Sequence, residues 1–219
     1  MLPVVDPPAE RTETASVAGV LLAAGTGARY GESNKLLVPV ESTEMKPEEP
    51  VVDRNSSVVC LSARTLLDAG LDPVLVVVGY ESKRIRSALA DTSVKFVENP
   101  EYESGQASSV RFGVRALSTA ASEADAAVFA LGDMPYVDPE SIHALVASYE
   151  AGVGSALAAG YRKKRGNPVL FDQRHFPALA GQNGDIGGKQ VLLSASDGAI
   201  IETDDPGVRQ DIDTPDDFV

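Results

Sequence analysis

The sequence predicts an α/β fold with one doubly wound, mainly parallel sheet in a single domain. Two patterns support this prediction. Short and nearly unbroken apolar runs, as in strands buried on both faces, recur along the 219 residues. Stretches with the apolar spacing of a helix separate these runs. Repeated strand–helix units favour parallel strands joined by crossover helices, and a chain of this length can bury a sizeable core.

Six apolar runs are the predicted strands. They cover residues 17–24, 73–79, 94–99, 126–133, 155–161 and 167–171. The helical stretches between them cover residues 57–70, 81–90, 108–120 and 138–152. Gly70 is a plausible C-cap of its helix, while Asp138 and Pro139 form a typical helix start.

Three segments fall outside this alternation. The Pro-rich, polar residues 1–16 are predicted to be a flexible N-terminal tail, and residues 17–219 to be the domain. The charged segment "ESTEMKPEEPVVDRNS", residues 41–56, is predicted to be a surface insertion loop. The N-terminus lacks the basic-then-apolar order of a signal peptide, which predicts a cytoplasmic protein.

Charge and composition exclude several kinds of partner. The formal net charge of −13 argues against nucleic acid or anionic lipid as a general partner. No window of about 18 unbroken apolar residues is present, so no membrane span is expected. The single Cys60 lies among apolar residues and is predicted to be a buried structural thiol.

The stretch "GVLLAAGTGARYGESNK", residues 19–35, ends the first strand with a glycine loop. Ligands of open parallel sheets bind beyond the carboxyl ends of strands, and Gly25 and Gly27 fall there. The dinucleotide fingerprint G-x-G-x-x-G fails because Tyr30 occupies its last glycine position, and no Walker A string is present. Arg29 and Lys35 are suited to neutralising a triphosphate. The alternative is a tight turn with two solvated cations.

A second candidate lies in "FALGDMPYVDP", where Asp133 follows another long apolar run. A carboxylate in this position suits Mg²⁺, which prefers one or two carboxylates together with phosphate oxygens and waters. The alternative is an Asp that caps the next turn.

Six motifs in order give the chain a resemblance to a known family. They are "LLAAGTGARYGESNKLL", "NPEYESGQASSVRFG", "LGDMPYVDP", "RGNPVLF", "NGDIGGKQVLL" and "DIDTPDDF". The chain resembles the nucleotidyltransferases that load a nucleotide onto molybdopterin, the group of molybdenum cofactor cytidylyltransferase and the related guanylyltransferase. The resemblance implies a Rossmann-like nucleotidyltransferase fold. It also implies Mg²⁺-dependent attack of an acceptor phosphate on the α-phosphorus of an NTP, with release of pyrophosphate.

The resemblance also implies roles for individual residues. Arg29, Lys35 and Asp133 would be catalytic, and Asp133 and Asp185 would bind the metal. The implied nucleotide-binding residues are Leu22, Ala23, Ala24, Gly25, Gly27, Gly79, Asn99, Gly105 and Ser109. The implied acceptor-binding residues are Arg165, Asn167, Asp185 and Lys189.

Three details of the motifs qualify these roles. The guanylyltransferases have a motif similar to "LAGG" where this chain reads "LAAG". The extra methyl group of Ala24 would narrow the base pocket, which favours cytosine over the larger guanine. Asn167 stands where the cytidylyltransferases usually carry His. The carboxylates of "DIDTPDD" are expected to be solvated or to cap a last helix, with Asp211 as a further candidate near the metal.

Four functions follow as hypotheses. The first is CMP transfer from CTP to molybdopterin, with a molybdoenzyme or its maturation chaperone as a protein partner. The second transfers GMP, or uses a sugar or alcohol phosphate as the acceptor. The third is a non-catalytic nucleotide-binding partner in molybdoenzyme maturation, and the fourth a dinucleotide-dependent oxidoreductase. Neither nucleic acid nor a membrane is expected as a partner.

Overall fold

The computed structural model describes residues 2–8, 14–27, 34–40, 57–184 and 187–218. The predicted insertion loop at residues 41–56 lies outside these ranges, as do the candidate site residues Arg29 and Asp185. Their predicted roles therefore remain predictions.

In the described ranges, eight strands form a single sheet. The strands are β1 (Val4–Val5), β2 (Val17–Ala23), β3 (Val74–Val78), β4 (Lys95–Glu98), β5 (Ala126–Leu131), β6 (Ala156–Tyr161), β7 (Lys164–Asp172) and β8 (Gly198–Glu202). Their order across the sheet is β1-β8-β6-β7-β5-β2-β3-β4. Strand β7 pairs antiparallel with β5 and with β6, whereas the other neighbouring strands pair in parallel.

Helices cover both faces of this sheet. They are α1 (Val58–Asp68), α2 (Ser82–Ala88), α3 (Gln106–Ala120), α4 (Pro139–Glu150), α5 (Phe176–Ala180) and α6 (Lys189–Ser194). Helices α1, α2 and α4 pack with one hydrophobic core, and α3, α5 and α6 pack with the other. This arrangement confirms the predicted α/β class and the mainly parallel, doubly wound sheet in one domain.

The two cores explain why the central strands read as unbroken apolar runs. Successive side chains of a strand point to opposite faces, so both faces must be apolar where helices cover both. In β3, Val76 and Val78 belong to the core under α1, while Leu75 and Val77 belong to the core under α3. All five residues of β3 are buried.

The N-terminal residues differ from the predicted flexible tail. Val4 and Val5 pair in parallel with Ile200 and Ile201 and form one edge of the sheet. A strand of only two residues shows no periodicity, so the apolar pattern could not predict it. Strand β8 was also not predicted.

Strand β7 is longer than predicted. The sequence placed a strand only at residues 167–171, but β7 begins at Lys164. Gly166 interrupts the pattern in the missed part, since glycine is a poor strand former. A Cβ at position 166 would lie 2.1 Å from the carbonyl oxygen of Val208, so this strand passes the chain near Val208 too closely for any side chain.

Two predicted helix ends match the structure. Gly70 follows α1 with φ of +75°, the left-handed conformation that glycine favours. Asp138 caps α4, accepting a hydrogen bond from the Glu140 amide at 2.8 Å. Across the described ranges, we find no helix whose length and apolar character would suffice to cross a membrane.

Candidate active site

A cavity of about 530 Å³ lies beyond the carboxyl ends of β2 and β5. We call it the nucleotide cavity. Its walls are the glycine loop at residues 24–27, Lys35, Asp133, and the start of α3 with Gly105 and Ser109. Open parallel sheets bind ligands at this edge. The chain thus brings the predicted glycine loop, lysine and aspartate to one place.

The glycine loop is shaped for close approach. Gly27 has φ of +59°, and a Cβ there would lie 3.3 Å from Cγ of Lys35. The stem of Lys35 therefore packs across the loop at a position where a larger residue would crowd it. A Cβ at Gly25 would meet nothing within 4 Å, so its backbone faces open space in the cavity.

Lys35 joins two carboxylates in the nucleotide cavity. Its Nζ donates to Oδ2 of Asp133 at 2.7 Å and to Oδ1 of Asp213 at 2.8 Å. Burial alone would lower the pKa of Lys35, but the charges and hydrogen bonds of Asp133 and Asp213 outweigh it and the pKa is raised. Lys35 is therefore an ammonium ion throughout the physiological pH range.

Backbone contacts hold these three residues together. Asp133 lies two residues beyond the end of β5. Lys35 begins a 3-10 helix that Asn34 caps by accepting from the Leu36 amide at 3.1 Å. The Ile212 amide donates to the carbonyl oxygen of Asp133 at 2.9 Å, which brings the neighbouring Asp213 to the site.

The donor set fits a divalent metal ion. Oδ1 of Asp133 is buried without a hydrogen-bond partner in the structure, and buried polar atoms are rarely left so. Carboxylate oxygens are the ligands that Mg²⁺ and Mn²⁺ prefer. Because the described residues hold no group of three or more His, Cys, Asp and Glu suited to a metal, phosphate oxygens and waters would have to complete the coordination shell.

A second cavity, of about 550 Å³, lies beside the first. We call it the acceptor cavity. Its apolar wall comes from β5, β7, α3 and α6 and includes Phe129, Phe171 and Leu193. The rings of Phe129 and Phe171 meet edge to face, with centroids 5.9 Å apart. Arg165 and Lys189 supply positive charge, and no carboxylate occurs among the described residues that line this cavity.

The Arg165 guanidinium is half-buried in the acceptor cavity. Burial lowers the pKa of Arg165, and no carboxylate in the described ranges forms an ion pair with it. A cation without such compensation favours an anionic ligand, since burying an unpaired charge is costly. The predicted acceptor residues Arg165, Asn167 and Lys189 all line this cavity.

The two cavities meet. Leu22, Gln106 and Leu131 line both of them. A ligand in the nucleotide cavity and a ligand in the acceptor cavity would therefore both lie next to these three residues.

Asn99 does not line the nucleotide cavity, and its predicted contact with nucleotide stays a prediction. Its side chain is fully buried, and its amide donates to Oγ of Ser108 and Ser109 at 2.9 and 3.0 Å. Its oxygen accepts from the Glu101 amide at 2.9 Å. Asn99 instead orients the first turn of α3, including Ser109, which does line the nucleotide cavity.

Ala23 and Gly79 also differ from their predicted roles. Ala23 is buried in the core on the other face of the sheet, because its side chain alternates with that of Ala24. Gly79 leaves space for Tyr102, since a Cβ there would lie 2.6 Å from Cβ of Tyr102. Leu22, Ala24 and Tyr102 line the nucleotide cavity, and Ala23 and Gly79 do not.

Sequence reasoning missed Asp213 and Gln106. Asp211, which the sequence marked instead, is exposed and makes no bond to Lys35. Asp211 and Asp213 flank buried Ile212, so the apolar pattern alone could not distinguish them. Asp217 behaves as expected of this run: it forms a capping box with Thr214 on the short 3-10 helix Pro215–Asp217.

A glycine loop, a lysine and a metal-suited carboxylate pair at the carboxyl edge of a parallel sheet define a nucleotide-dependent transferase. The family comparison agrees, because residues 19–199 match the model of the MobA-like NTP transferase domain. The chain belongs to this family and is a nucleotidyltransferase.

Three relatives match by sequence. Purine catabolism protein PucB of Bacillus subtilis strain 168 is 30% identical over 210 residues, covering 91% of this chain and 93% of PucB. Nicotine blue oxidoreductase of Paenarthrobacter nicotinovorans is 27% identical, covering 93% of this chain and 95% of that protein. Molybdenum cofactor cytidylyltransferase of Escherichia coli K12 is 26% identical, covering 67% of this chain and 72% of the enzyme.

Solved structures share the fold of this chain. Rv0371c of Mycobacterium tuberculosis H37Rv superposes with a TM-score of 0.69 at 28% identity, covering 93% of this chain and 96% of Rv0371c. A complex of that protein with manganese has a TM-score of 0.67 at 25% identity, over 93% and 96% of the two chains. A nucleotidyl transferase from Methanothermobacter shares the fold, with a TM-score of 0.73, 21% identity, and 93% and 94% coverage.

Proposed function

We propose that this nucleotidyltransferase transfers CMP from CTP to the phosphate of molybdopterin in a Mg²⁺-dependent reaction that releases pyrophosphate. The observation that carries the proposal is the meeting of the two cavities at Leu22, Gln106 and Leu131. One cavity suits a triphosphate with its metal, and the other suits an anion with an apolar body. Their contact is where a phosphate-to-phosphate bond can form.

The nucleotide cavity would hold the triphosphate. The glycine loop offers backbone N–H groups, and Lys35 would turn from its carboxylates toward the phosphates. Bound between Asp133 and Asp213, Mg²⁺ would neutralise phosphate charge. The manganese complex of Rv0371c supports a divalent ion in this family. Asp185 remains a candidate ligand, and Arg29 remains a candidate to stabilise the leaving pyrophosphate.

The chemistry asks little covalent work of the protein. The acceptor is a phosphate monoester, whose second pKa is about 6, so its oxygen is already anionic at neutral pH. That oxygen attacks the α-phosphorus, and the bond from the α-phosphorus to the β-bridging oxygen breaks. Positioning and charge neutralisation therefore account for catalysis, and no general base is required.

The acceptor cavity supports an acceptor with a flat ring and a phosphate. Aromatic walls suit the ring of a pterin, and Arg165 and Lys189 suit its phosphate. The molybdenum cofactor cytidylyltransferase among the relatives supports the same acceptor. Asn167, in place of the His usual in those enzymes, would contact the acceptor as a neutral hydrogen-bonding group.

The choice of CTP rests on Ala24. Ala24 lines the nucleotide cavity, and its methyl group would narrow the wall that contacts the base. Cytosine is smaller than guanine and suits the narrower wall. A molybdoenzyme or its maturation chaperone is the protein partner that this product implies.

Pyrophosphate release tests the proposal. CTP, GTP, ATP and UTP are each incubated with Mg²⁺, the protein and molybdenum-loaded molybdopterin, at several salt concentrations. Release with CTP well above the other three is expected. A preference for GTP would contradict the choice of CTP but would still support nucleotide transfer to molybdopterin. Absence of pyrophosphate release with all four nucleotides would contradict the proposed reaction.

The same samples separate the other hypotheses. Nucleotide binding can be measured as a thermal shift. Binding without pyrophosphate release would favour the hypothesis of a non-catalytic binding partner in molybdoenzyme maturation. Because one relative is named nicotine blue oxidoreductase, the oxidoreductase hypothesis should be tested on the same samples. It predicts absorbance change at 340 nm with NADH or NADPH and an electron acceptor, which a transferase would not give.

A further inference from the structure

Gln106 is the polar residue at the junction of the two cavities. Of the three residues that line both cavities, Leu22 and Leu131 have aliphatic side chains, and Gln106 alone carries hydrogen-bonding groups. Of these three side chains, only the Gln106 carboxamide could form a hydrogen bond with the reacting phosphates.

The backbone fixes the position of Gln106. It is the first residue of the 15-residue helix α3 and follows Gly105, whose φ is +93°. The Ala107 amide donates to the carbonyl oxygen of Gly184 at 3.0 Å, and the Ser108 amide donates to that of Gly105 at 3.1 Å. The helix start is therefore tied to the loop that leads to α6.

That loop leaves space for the carboxamide. Gly187 has φ of +51°, and a Cβ there would lie 2.9 Å from Oε1 of Gln106. A larger residue at position 187 would displace the Gln106 side chain. Within the described ranges, no hydrogen bond joins the Gln106 side chain to another residue, and the side chain is exposed to the cavities.

A hydrogen-bond donor suits this junction. The reaction brings two anionic phosphates together, and charge builds on the oxygens of the transferring group. A carboxylate here would repel both phosphates. A carboxamide N–H₂ can donate to a non-bridging oxygen without this repulsion.

We propose that Gln106 is a catalytic residue that donates a hydrogen bond to a non-bridging oxygen of the transferring α-phosphoryl group. The inference rests on the proposed function. The acceptor oxygen forms its bond to the α-phosphorus, and pyrophosphate departs with the electron pair of the broken bond. Gln106 gives up no proton, and its contact strengthens as charge builds on the equatorial oxygens.

The test compares Gln106→Leu, Gln106→Glu and wild type in the pyrophosphate assay, with the NTP and molybdenum-loaded molybdopterin each varied in turn. Loss of one preorganised donor predicts a fall in kcat of about 100-fold, with KM for the NTP within about threefold of wild type. Gln106→Glu should be at least as slow, since it adds a negative charge between two phosphates.

Gln190→Leu is the matched control, because Gln190 lines the acceptor cavity but not the nucleotide cavity. It should change KM for the acceptor and leave kcat within about threefold. Nucleotide-induced thermal shifts, measured without acceptor, should be the same for Gln106→Leu and wild type. A merely structural role of Gln106 would reduce them.

Two outcomes would contradict the inference in different ways. Wild-type kcat in Gln106→Leu, or a change confined to KM, would overturn the role of Gln106 while leaving the proposed function in place. Absence of pyrophosphate release by the wild-type protein would overturn the proposed function, and the role of Gln106 with it.

Discussion

The nucleotide cavity and the acceptor cavity are nearly equal in volume, about 530 and 550 Å³, but they differ in how they are built. The nucleotide cavity is formed by loops that leave the parallel strands β2 and β5 and by the start of α3. The acceptor cavity depends on the antiparallel strand β7 and on α6. The first site follows from the fold class, since parallel sheets bind ligands at this edge. The second depends on side chains that the fold class does not dictate.

The two cavities also differ in whether their cations are paired with carboxylates. Lys35 in the nucleotide cavity is already paired with Asp133 and Asp213, whereas Arg165 in the acceptor cavity has no carboxylate partner in the described ranges. Four substitutions test whether the cavities act as separate binding sites for the two substrates.

The largest effect is expected from Asp133→Asn. Losing the carboxylate proposed to hold the metal should reduce turnover about 1,000-fold or more, because the proposed reaction depends on charge neutralisation. The melting temperature should change little, since Asn keeps the shape of the side chain. Asp216→Asn, in the exposed C-terminal run, is the control and should match wild type. Turnover near wild type in Asp133→Asn would contradict the metal assignment.

Lys35→Met should weaken nucleotide binding and strengthen metal binding. The affinity for the NTP and the turnover should each fall about 100-fold, because the triphosphate loses a cation. Binding of Mn²⁺ alone, measured by electron paramagnetic resonance without nucleotide, should become tighter, because the ammonium no longer occupies the two carboxylates.

Lys189→Met is the control for this pair of effects. It removes a cation from the acceptor cavity and should leave Mn²⁺ binding unchanged. Weaker Mn²⁺ binding in Lys35→Met would mean that the two carboxylates need the lysine to stay together.

Arg165→Met should affect the other cavity. We expect KM for the acceptor to rise about 10- to 50-fold and KM for the NTP to stay the same, which steady-state kinetics with each substrate varied would show. Stability should not fall, since the substitution removes a half-buried charge that has no carboxylate partner. Arg162→Met, on the adjacent turn where Arg162 lies over the Tyr161 ring, is the control. An equal rise in both KM values would show that the cavities are not separate.

Ala24→Gly should give the smallest effect. Removing one methyl group from the proposed base wall should raise the ratio of GTP to CTP specificity, as kcat/KM, by about 3- to 10-fold, at the lower end of what one methylene group can supply. Competition assays with both nucleotides present would measure this ratio. An unchanged ratio would place the base against another wall of the cavity.

The sequence predicted the parts of the fold that have a strong local signal. Strands β2, β3 and β5 are buried on both faces, so each reads as an apolar run with or without its neighbours. Val4 and Val5 have no such signal, because their pairing with β8 depends on residues nearly two hundred positions away. Strand β7 was predicted too short because Gly166 breaks its pattern, and the reason for this glycine is the close approach of the chain at Val208.

The site shows the same limit. Lys35 and Asp133 follow apolar segments within quoted motifs, so the sequence singled them out, and the structure brings their side chains within 2.7 Å. Asp213 lies 178 residues from Lys35 and becomes recognisable only through the backbone bond of Ile212. Asn99 could be singled out as polar and near a strand end, but its burial among two serines and an amide could not be read from sequence.

The position of Lys35 between Asp133 and Asp213 also affects how metal ions would bind to the protein before nucleotide does. The carboxylate pair already carries an internal counter-ion, so entry of a metal is an exchange of one cation for another and not a simple capture. The released ammonium needs a new anion, which the triphosphate provides. Metal and nucleotide binding are therefore thermodynamically linked, and each should increase the affinity for the other by the same factor. In a chain with a net charge of −13, this exchange would keep stray divalent ions away from the carboxylate pair proposed to bind a metal–nucleotide complex.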